Sequence, residues 1–385
     1  MPWQGASIVD QRRAFITEYL AGVETVTALA AAYGISRKAA YYWIAQFKAG
    51  GLPRLAGRST RPLHSPKATA PDVVAAILAA RARHPTWGAQ KLRSWLQRRQ
   101  PETAWPCRAT LHTVLVRQGQ VRRRRPRRGG GRSAHRLTVP TAPNVVWTVD
   151  FKGQFRTGDG VLCYPLTLRD AWSRCVLRCH ALRSVRTTDT LPQLRQAFAT
   201  YGLPECLRSD NGAPFAGPGL AGLSQLAVWL IRLGIRPERI APGCPGQNGA
   251  HEQFHRVLKA ETARPPAASL TAQQRRFQRF VVDYNTERPH AALDDAPPAT
   301  RYQPSSRPWP ERLPPVDYAL TAEVRRVRAS GDIKWRGRSL FLSHVLAGHD
   351  VGFEPLADDG RWLVRFAAVP LAIFDERHWR LQTAE

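Results

Sequence analysis

Three acidic side chains stand in settings that suit chemistry. Val145-Val-Trp-Thr-Val-Asp150-Phe alternates like a strand, with an acid inside the apolar run. Leu203-Pro-Glu-Cys-Leu-Arg-Ser-Asp210-Asn-Gly212 reads as a short strand ending in an Asp at a turn. Gly243-Cys-Pro-Gly-Gln-Asn-Gly-Ala-His-Glu252-Gln-Phe-His-Arg-Val-Leu-Lys259 reads as a Pro/Gly loop running into a helix that carries one carboxylate. A carboxylate in an apolar strand is costly unless it is paired or binds metal. Three converging carboxylates repel one another unless cations neutralise them, and hard ions such as Mg²⁺ take oxygen ligands. Two such ions about 4 Å apart activate a water or hydroxyl and stabilise the leaving oxygen of a phosphodiester.

On the third segment, Asn248, Glu252, Arg256 and Lys259 share one helix face, and Phe254, Val257 and Leu258 take the buried side. Alone, this pattern also fits a surface helix with a Glu252–Arg256 pair. The elements that must bring the acids together are two strands and this helix. Val145–Phe155, Val161–Leu168 and Cys175–Leu182 read as successive strands. They are followed by a helix from Thr187 to Tyr201, the Asp210 strand, a helix Leu223–Leu233, a short strand near Ile235–Ile240, the Glu252 helix, and a helix capped by Thr271-x-x-Gln274 that runs to about Tyr284. This order predicts an α/β core with a mixed sheet. Asp170, in the turn after the second strand, reads as a structural turn residue.

Trp147-Thr-Val-Asp150-Phe, Arg208-Ser-Asp210-Asn-Gly and Gly246-Gln-Asn-Gly-Ala-His-Glu252-Gln-Phe-His-Arg-Val-Leu-Lys resemble the DDE motifs of bacterial insertion-sequence transposases. Tyr284-Asn-Thr-Glu-Arg-Pro-His290-Ala-Ala-Leu is similar to a further motif of that group. The segment between Asp210 and Glu252 is several residues longer than in many integrase-type enzymes, which fits an insertion around Phe215–Leu220. Glu238 and Glu261 are the alternative third acids, but both lie outside the Asn-Gly-x-x-Glu context.

The resemblance implies an RNase H-like catalytic core of the retroviral-integrase superfamily. It implies that Asp150, Asp210 and Glu252 bind two Mg²⁺ ions, with Mn²⁺ as a substitute, for DNA cleavage and strand transfer without a covalent enzyme intermediate. Lys152, Asn248, Arg256 and Lys259 are the expected phosphate contacts beside the metals. Joining both element ends to one target implies a homo-oligomer, a dimer or larger, on DNA. Asn285, Arg288 and His290 either position substrate or pin their loop to the core.

Charge points the same way. The chain has 57 Lys+Arg against 29 Asp+Glu, a net charge of +28, which favours a polyanionic partner. Residues 1–140 hold 25 Lys+Arg against 5 Asp+Glu, so the grip is concentrated ahead of the core. Within residues 1–60, Ser7-x-x-Asp10 predicts a capped helix to about Ala21, Glu24 to Tyr33 a second, and Ser36 caps a third, Arg37 to Lys48. The pattern resembles a helix-turn-helix. Ile35, Ala40 and Ile44 would pack inward, leaving Arg37, Lys38, Tyr41 and Tyr42 for the major groove; a plain three-helix bundle has the same apolar pattern. Residues 71–120 predict a second helical trio, 71–83, 87–98 and 108–118. It is similar to the second helix-turn-helix-like segment of such transposases, or else serves only as a spacer. Ala109, Leu111, Val114 and Leu115 give its last helix an apolar side. Residues 121–141 form an Arg-rich linker, with Arg122, Arg123, Arg124 and Arg125 as candidate phosphate contacts.

After the core at 142–300 and a Pro-rich linker from Pro297 to Pro315, residues 320–380 predict short strands with tight turns, the pattern of a small barrel. The resemblance makes it SH3-like, for DNA or subunit contacts or for structure alone. The expected architecture is thus multidomain: N-terminal all-α helix-turn-helix modules, a central α/β RNase H-like core with a mixed sheet, and a small all-β C-terminal module. The six Cys form no Cys-x-x-Cys pair, and Cys175, Cys179 and His180 read as core-strand residues rather than a zinc site. No apolar run approaches a membrane span and no leader is evident, so a cytoplasmic, nucleoid-associated bacterial protein is expected, with no membrane partner. Two other functions compete: a DNA-binding regulator without catalysis, and a metal-dependent nuclease without strand joining.

Overall fold

The computed structural model describes residues 7–56, 68–121, 137–217, 219–241, 244–357 and 360–383. Arg122, Arg123, Arg124 and Arg125 lie outside the described residues, and so does the side chain of Asn248. The chain divides into two compact units, residues 1–69 and 70–385.

In the first unit, Ser7 accepts from the Asp10 amide at 3.2 Å and starts α1 (Ile8–Ala21). Thr25 and Ser36 cap α2 (Val26–Ala32) and α3 (Arg37–Gly50) in the same way. A side-chain oxygen at these positions satisfies an amide that the helix cannot. Gly34, at φ +62°, makes the turn between α2 and α3. Phe15, Ile16, Leu29, Ala40, Ile44 and Leu55 form the core, while Ile35 is only half-buried. Arg37, Lys38, Tyr41 and Tyr42 are exposed along α3, as the spacing predicts.

The second unit begins with α4 (Pro71–Arg83), α5 (Ala89–Arg99) and α6 (Arg108–Arg117), packed around Leu92, Trp95, Leu111 and Leu115. Ala109 is exposed rather than part of this core; only Leu111, Val114 and Leu115 face inward from α6. The trio is fastened to the residues after position 286. Trp95 Nε1 donates to Glu287, Arg99 pairs with Glu287 at 3.2 Å, and Gln90 donates to Asp295 at 2.6 Å.

The mixed sheet contains β1 (Val146–Phe151), β2 (Phe155–Arg156), β3 (Leu162–Asp170), β4 (Val176–Leu182), β5 (Cys206–Ser209) and β6 (Arg236–Arg239). Its order is β2-β3-β1-β5-β6, with β4 also on β3. β1, β3 and β4 pair antiparallel, whereas β1, β5 and β6 run parallel. The single strand expected over Val145–Phe155 divides in two around Gly153. One face of the sheet carries Trp147, Val149, Leu166 and Leu177 under α7 (Thr187–Tyr201) and α8 (Gln225–Arg232). The other carries Cys163, Val176 and Ala181 under α9 (Gly249–Thr262) and α10 (Leu270–Thr286). Ser269, not the expected Thr271, caps α10, and Gln274 bonds instead to the backbone of Cys179 and Ala181 on β4. Cys175 and Cys179 are free buried thiols packed among these apolar side chains. Asp170 is buried and accepts from the amides of Asn144 and Ser173 and from the Ser173 hydroxyl, which makes it a structural residue.

The Pro-rich segment after α10 is not a free linker. Ser305 and Arg307 bond to Tyr201, Leu233 and Gly234, and Trp309 stacks on Phe198. Beyond it lie β7 (Glu323–Arg326), β8 (Asp332–Trp335), β9 (Arg338–Phe341), β10 (Asp350–Pro355), β11 (Arg361–Phe366), β12 (Val369–Asp375) and β13 (Arg380–Thr383). They pair as a five-stranded antiparallel sheet, β13-β12-β11-β10-β7, and a β8-β9 hairpin. The expected closed barrel does not form among the described residues. The hairpin instead lays Ile333, Trp335 and Leu340 against Phe353, Phe366 and Phe374. α8 is apolar on both sides: Leu226 and Leu230 face the mixed sheet, Ala227 and Ile231 the C-terminal strands. A helix of that kind is stable only when buried between two layers.

Candidate functional site at the parallel strand ends

Asp150 sits near the end of β1, opposite Thr167 of β3. β5 runs beside β1 with Thr148 opposite Arg208. Asp150 lies two residues beyond Thr148 and Asp210 two beyond Arg208, so the parallel pair carries both acids toward the same end of the sheet. Asp210 follows the last residue of β5, and its carboxylate accepts from the Gly212 amide at 3.1 Å. This local turn aims the acid off the carboxyl end of the parallel strands, where open α/β sheets place their ligand sites. Arg208 and Glu238, bonded at 2.6 Å and largely buried, lock β5 to β6 just below it.

α9 is held across the same face by two side chains that the sequence reading passed over. His251 and His255 are both buried and one turn apart. His251 Nδ1 lies 2.9 Å from Thr148 Oγ1, and its Nε2 lies 2.7 Å from Thr167 Oγ1. His255 Nε2 reaches the same Thr167 hydroxyl at 2.8 Å. Thr167 donates its one hydrogen to the Asp150 carbonyl at 3.0 Å, so both imidazoles must donate to it through Nε2–H. His251 Nδ1 then accepts from Thr148. His255 Nδ1 keeps a lone pair facing the Asp150 carboxylate at 3.8 Å. Burial holds both rings neutral: His255 is pushed down to about 3 by desolvation and then by Lys152, and His251 well below the usual imidazole range. The i, i+4 His spacing on a helix with an apolar face was the signal in the sequence; Val257, taken there as buried, is only half so.

With His251 seated on β1 and β3, Glu252 follows it in the first turn of α9, exposed to solvent with Arg256 and Lys259. Lys152 follows β1; its ammonium is pushed below the usual lysine range by burial and then by the charge of Lys259, with Asp150 opposing. The alternative acids are engaged elsewhere, Glu238 with Arg208 and Glu261 with Arg288. Asn285 bonds to both backbone groups of Val176 and so pins α10 to β4.

Asp150, His251 and His255 bring one possible ligand atom each within 4.8 Å of the others. His251 spends both ring nitrogens on Thr148 and Thr167, so the pair that could take a divalent cation is the Asp150 carboxylate with His255. His255 Nδ1 is an unprotonated acceptor facing Asp150, which a cation or a proton would satisfy. Thr167→Val tests the network. It leaves two buried N–H groups and a carbonyl without their partner, each worth about 1–3 kcal/mol. Urea denaturation should show a loss of about 3 kcal/mol or more, and Thr167→Ser should restore most of it.

The Integrase core domain family matches residues 140–245 and again 233–298. A Homeodomain-like domain matches residues 39–115, and a Helix-turn-helix domain matches 11–62. The chain is 29% identical over 181 residues to "Insertion element IS407 uncharacterized 31.7 kDa protein" of Burkholderia multivorans, covering 46% of this chain and 62% of that protein. It is 27% identical over 188 residues to "Insertion element IS476 uncharacterized 39.2 kDa protein" of Xanthomonas euvesicatoria, covering 47% of this chain and 50% of that one. The match thus spans less than two thirds of either relative. Among solved structures, the HTLV-2 integrase catalytic core domain in complex with magnesium superposes on 43% of this chain and all of that one, at 14% identity and a TM-score of 0.35. No helix among the described residues is long and apolar enough to cross a membrane.

Proposed function

Since the chain belongs with the insertion-sequence transposases of the retroviral-integrase-like superfamily, we propose that it cuts DNA at the ends of its element and joins the freed ends to a target. What supports this is that Asp150 stands near the end of β1, Asp210 follows the neighbouring parallel strand β5, and Glu252 stands on α9, which His251 and His255 seat on β1 and β3. The three carboxylates would hold two Mg²⁺ ions, or Mn²⁺ in their place; a metal pair supplies a deprotonated nucleophile and a stabilised leaving oxygen for in-line displacement.

The rest is the work of this chain's own groups. Lys152, which feels the charges of both Lys259 and Asp150, would contact the phosphates flanking the scissile one together with exposed Arg256 and Lys259; Asn248 is assigned with them from its place in the motif. The neutral His255 turns its Nδ1 lone pair toward the Asp150 carboxylate at 3.8 Å, two acceptors that a cation between them would satisfy together. Exposed Arg37, Lys38, Tyr41 and Tyr42 on α3 would enter the major groove of the element ends. α6, which leaves Arg108 and His112 exposed, would make a second contact, and Arg122, Arg123, Arg124 and Arg125 would track the backbone between. Two ends joined to one target require two active sites, hence a dimer or larger assembly on DNA, with the C-terminal strands available as a small all-β module for subunit or DNA contact.

The test is purified protein with Mg²⁺ and duplexes carrying the flanking ends of its own gene. Nicking followed by joined products supports the proposal. Binding without cleavage would make the chain a regulator, and cleavage without joining a nuclease.

A further inference from the structure

α9 has a second working side. Gln253 and Val257, on a part of α9 that does not include Glu252, border a cavity of about 340 Å³. Four cations line it: Lys91 of α5, Arg169 of β3, Arg174 of the β3–β4 turn, and Arg288 after α10. No carboxylate is among the described residues that line it. Arg288 is paired, with Glu261 at 3.0 Å. Arg169 is not paired with an acid. It is 4% exposed, donates one Nη to the Ala250 carbonyl, and lies 4.5 Å over the Phe254 ring, yet its Nε–H has no partner. His290 Nε2, on the same cavity, is also buried without a partner.

A buried guanidinium without an anion costs several kcal/mol. Placing further cations around the same cavity raises that cost, unless something negative enters. The surrounding groups register the field. Lys91 is pushed down to about 8, by burial first and then by Arg288, and His290 to about 2, by burial and then by Lys91, Arg169, Arg288 and Arg174. The volume is at the small end for a ligand cavity, enough for one phosphate group and its waters.

We propose that this cavity binds a single phosphate group of the DNA backbone, held between the helical trio through Lys91 and the integrase core through Arg169, Arg174 and Arg288. DNA is favoured over a free anion because the two parts that meet here are a helix-turn-helix-like module and a catalytic core, in a chain carrying +28. The inference rests on the reading of the chain as a DNA-joining enzyme, but its test needs no divalent metal and no catalysis.

Full-length protein, with Arg174→Gln and Lys91→Met, would be examined in EDTA. The first readout is the rise in Tm caused by inorganic phosphate over chloride at matched ionic strength. The second is the salt dependence of affinity for the element-end duplex. The Arg174 side chain makes no hydrogen bond or ion pair among the described residues, so its variant should fold; if Lys91→Met does not, Arg174→Gln decides alone. The expected result is a phosphate-induced rise in the parent that shrinks in the variants, with the slope of log K against log[salt] smaller by roughly 0.9 for the one lost contact. An equal rise and an equal slope in parent and variants would overturn the site. A rise lost with the slope unchanged would make it a free-anion site and remove DNA from the proposal. Absence of Mg²⁺-dependent joining by the parent, with the rise and the slope changing in the variants as expected, would count against the catalytic reading alone.

Discussion

Asp210→Asn is expected to lower DNA cleavage and joining by at least about 10²–10³-fold while leaving folding and DNA binding intact. The magnitude follows from removing a charged group aimed at a reaction in which negative charge develops. The amide is nearly isosteric, and its oxygen still accepts from the Gly212 amide at 3.1 Å, so the turn after β5 survives. Removing one negative charge from a face that carries Lys152 and Lys259 leaves phosphate attraction unchanged or stronger. The measurement is product formation on end-sequence duplexes in Mg²⁺, beside binding of the same duplexes in EDTA. Equal rates for parent and variant would remove Asp210 from the site, and equal loss of binding would show that the change disturbed the strand end instead. The same substitution at Glu238 separates the two kinds of acid. Glu238→Gln breaks the Arg208 pair that locks β5 to β6, so its effect should fall on stability first.

Much of this arrangement is written in local signals, and the part that is not has a physical reason. Ser7 and Ser36 cap their helices because each has a free amide three residues on, which is a property of neighbouring residues alone. Alternation marked β1, and a turn after Arg-Ser placed Asp210 at a strand end. The parallel pairing of β1 with β5, which carries both acids toward one end of the sheet, is non-local, and only the resemblance implies it in the sequence. His251 and His255 were passed over because periodicity separates buried from exposed positions but does not say which polar side chain finds a partner. Both are polar by type yet buried, since Thr148 and Thr167, from two different strands, accept or donate to them. The same limit misplaced the start of α10: the sequence offers Thr271 and Gln274 as a cap pair, but Gln274 is needed to bridge Cys179 and Ala181. In the C-terminal strands, short runs and tight turns fixed the elements. Whether a sheet closes depends on stagger and tilt between its first and last strands, which no single strand encodes.

Phe254→Ala should be the most damaging single change outside the acids, because it unseats the helix that presents Glu252. The ring is 1% exposed and touches both halves of the site's support. Its centroid lies 5.1 Å from Tyr284 and 6.0 Å from Phe280 on α10, 5.9 Å from His251 and 5.8 Å from His255 on its own helix, and under the Arg169 guanidinium. Truncation opens a cavity in a well-packed core, which costs about 3–5 kcal/mol, and takes from a buried cation the aromatic face it rests on. The two losses converge on the first turn of α9. His251 and His255 can hold Thr148 and Thr167 only while the helix lies flat on β1 and β3. Joining activity should therefore fall below detection even at temperatures where the remaining fold persists, whereas end-sequence binding by the first unit, residues 1–69, should survive. Phe254→Leu, which fills most of the space, should lose less stability and retain measurable joining. Urea denaturation paired with the joining assay decides the matter: a stable Phe254→Ala protein with parental activity would mean that Glu252 is positioned by something other than the packing of α9.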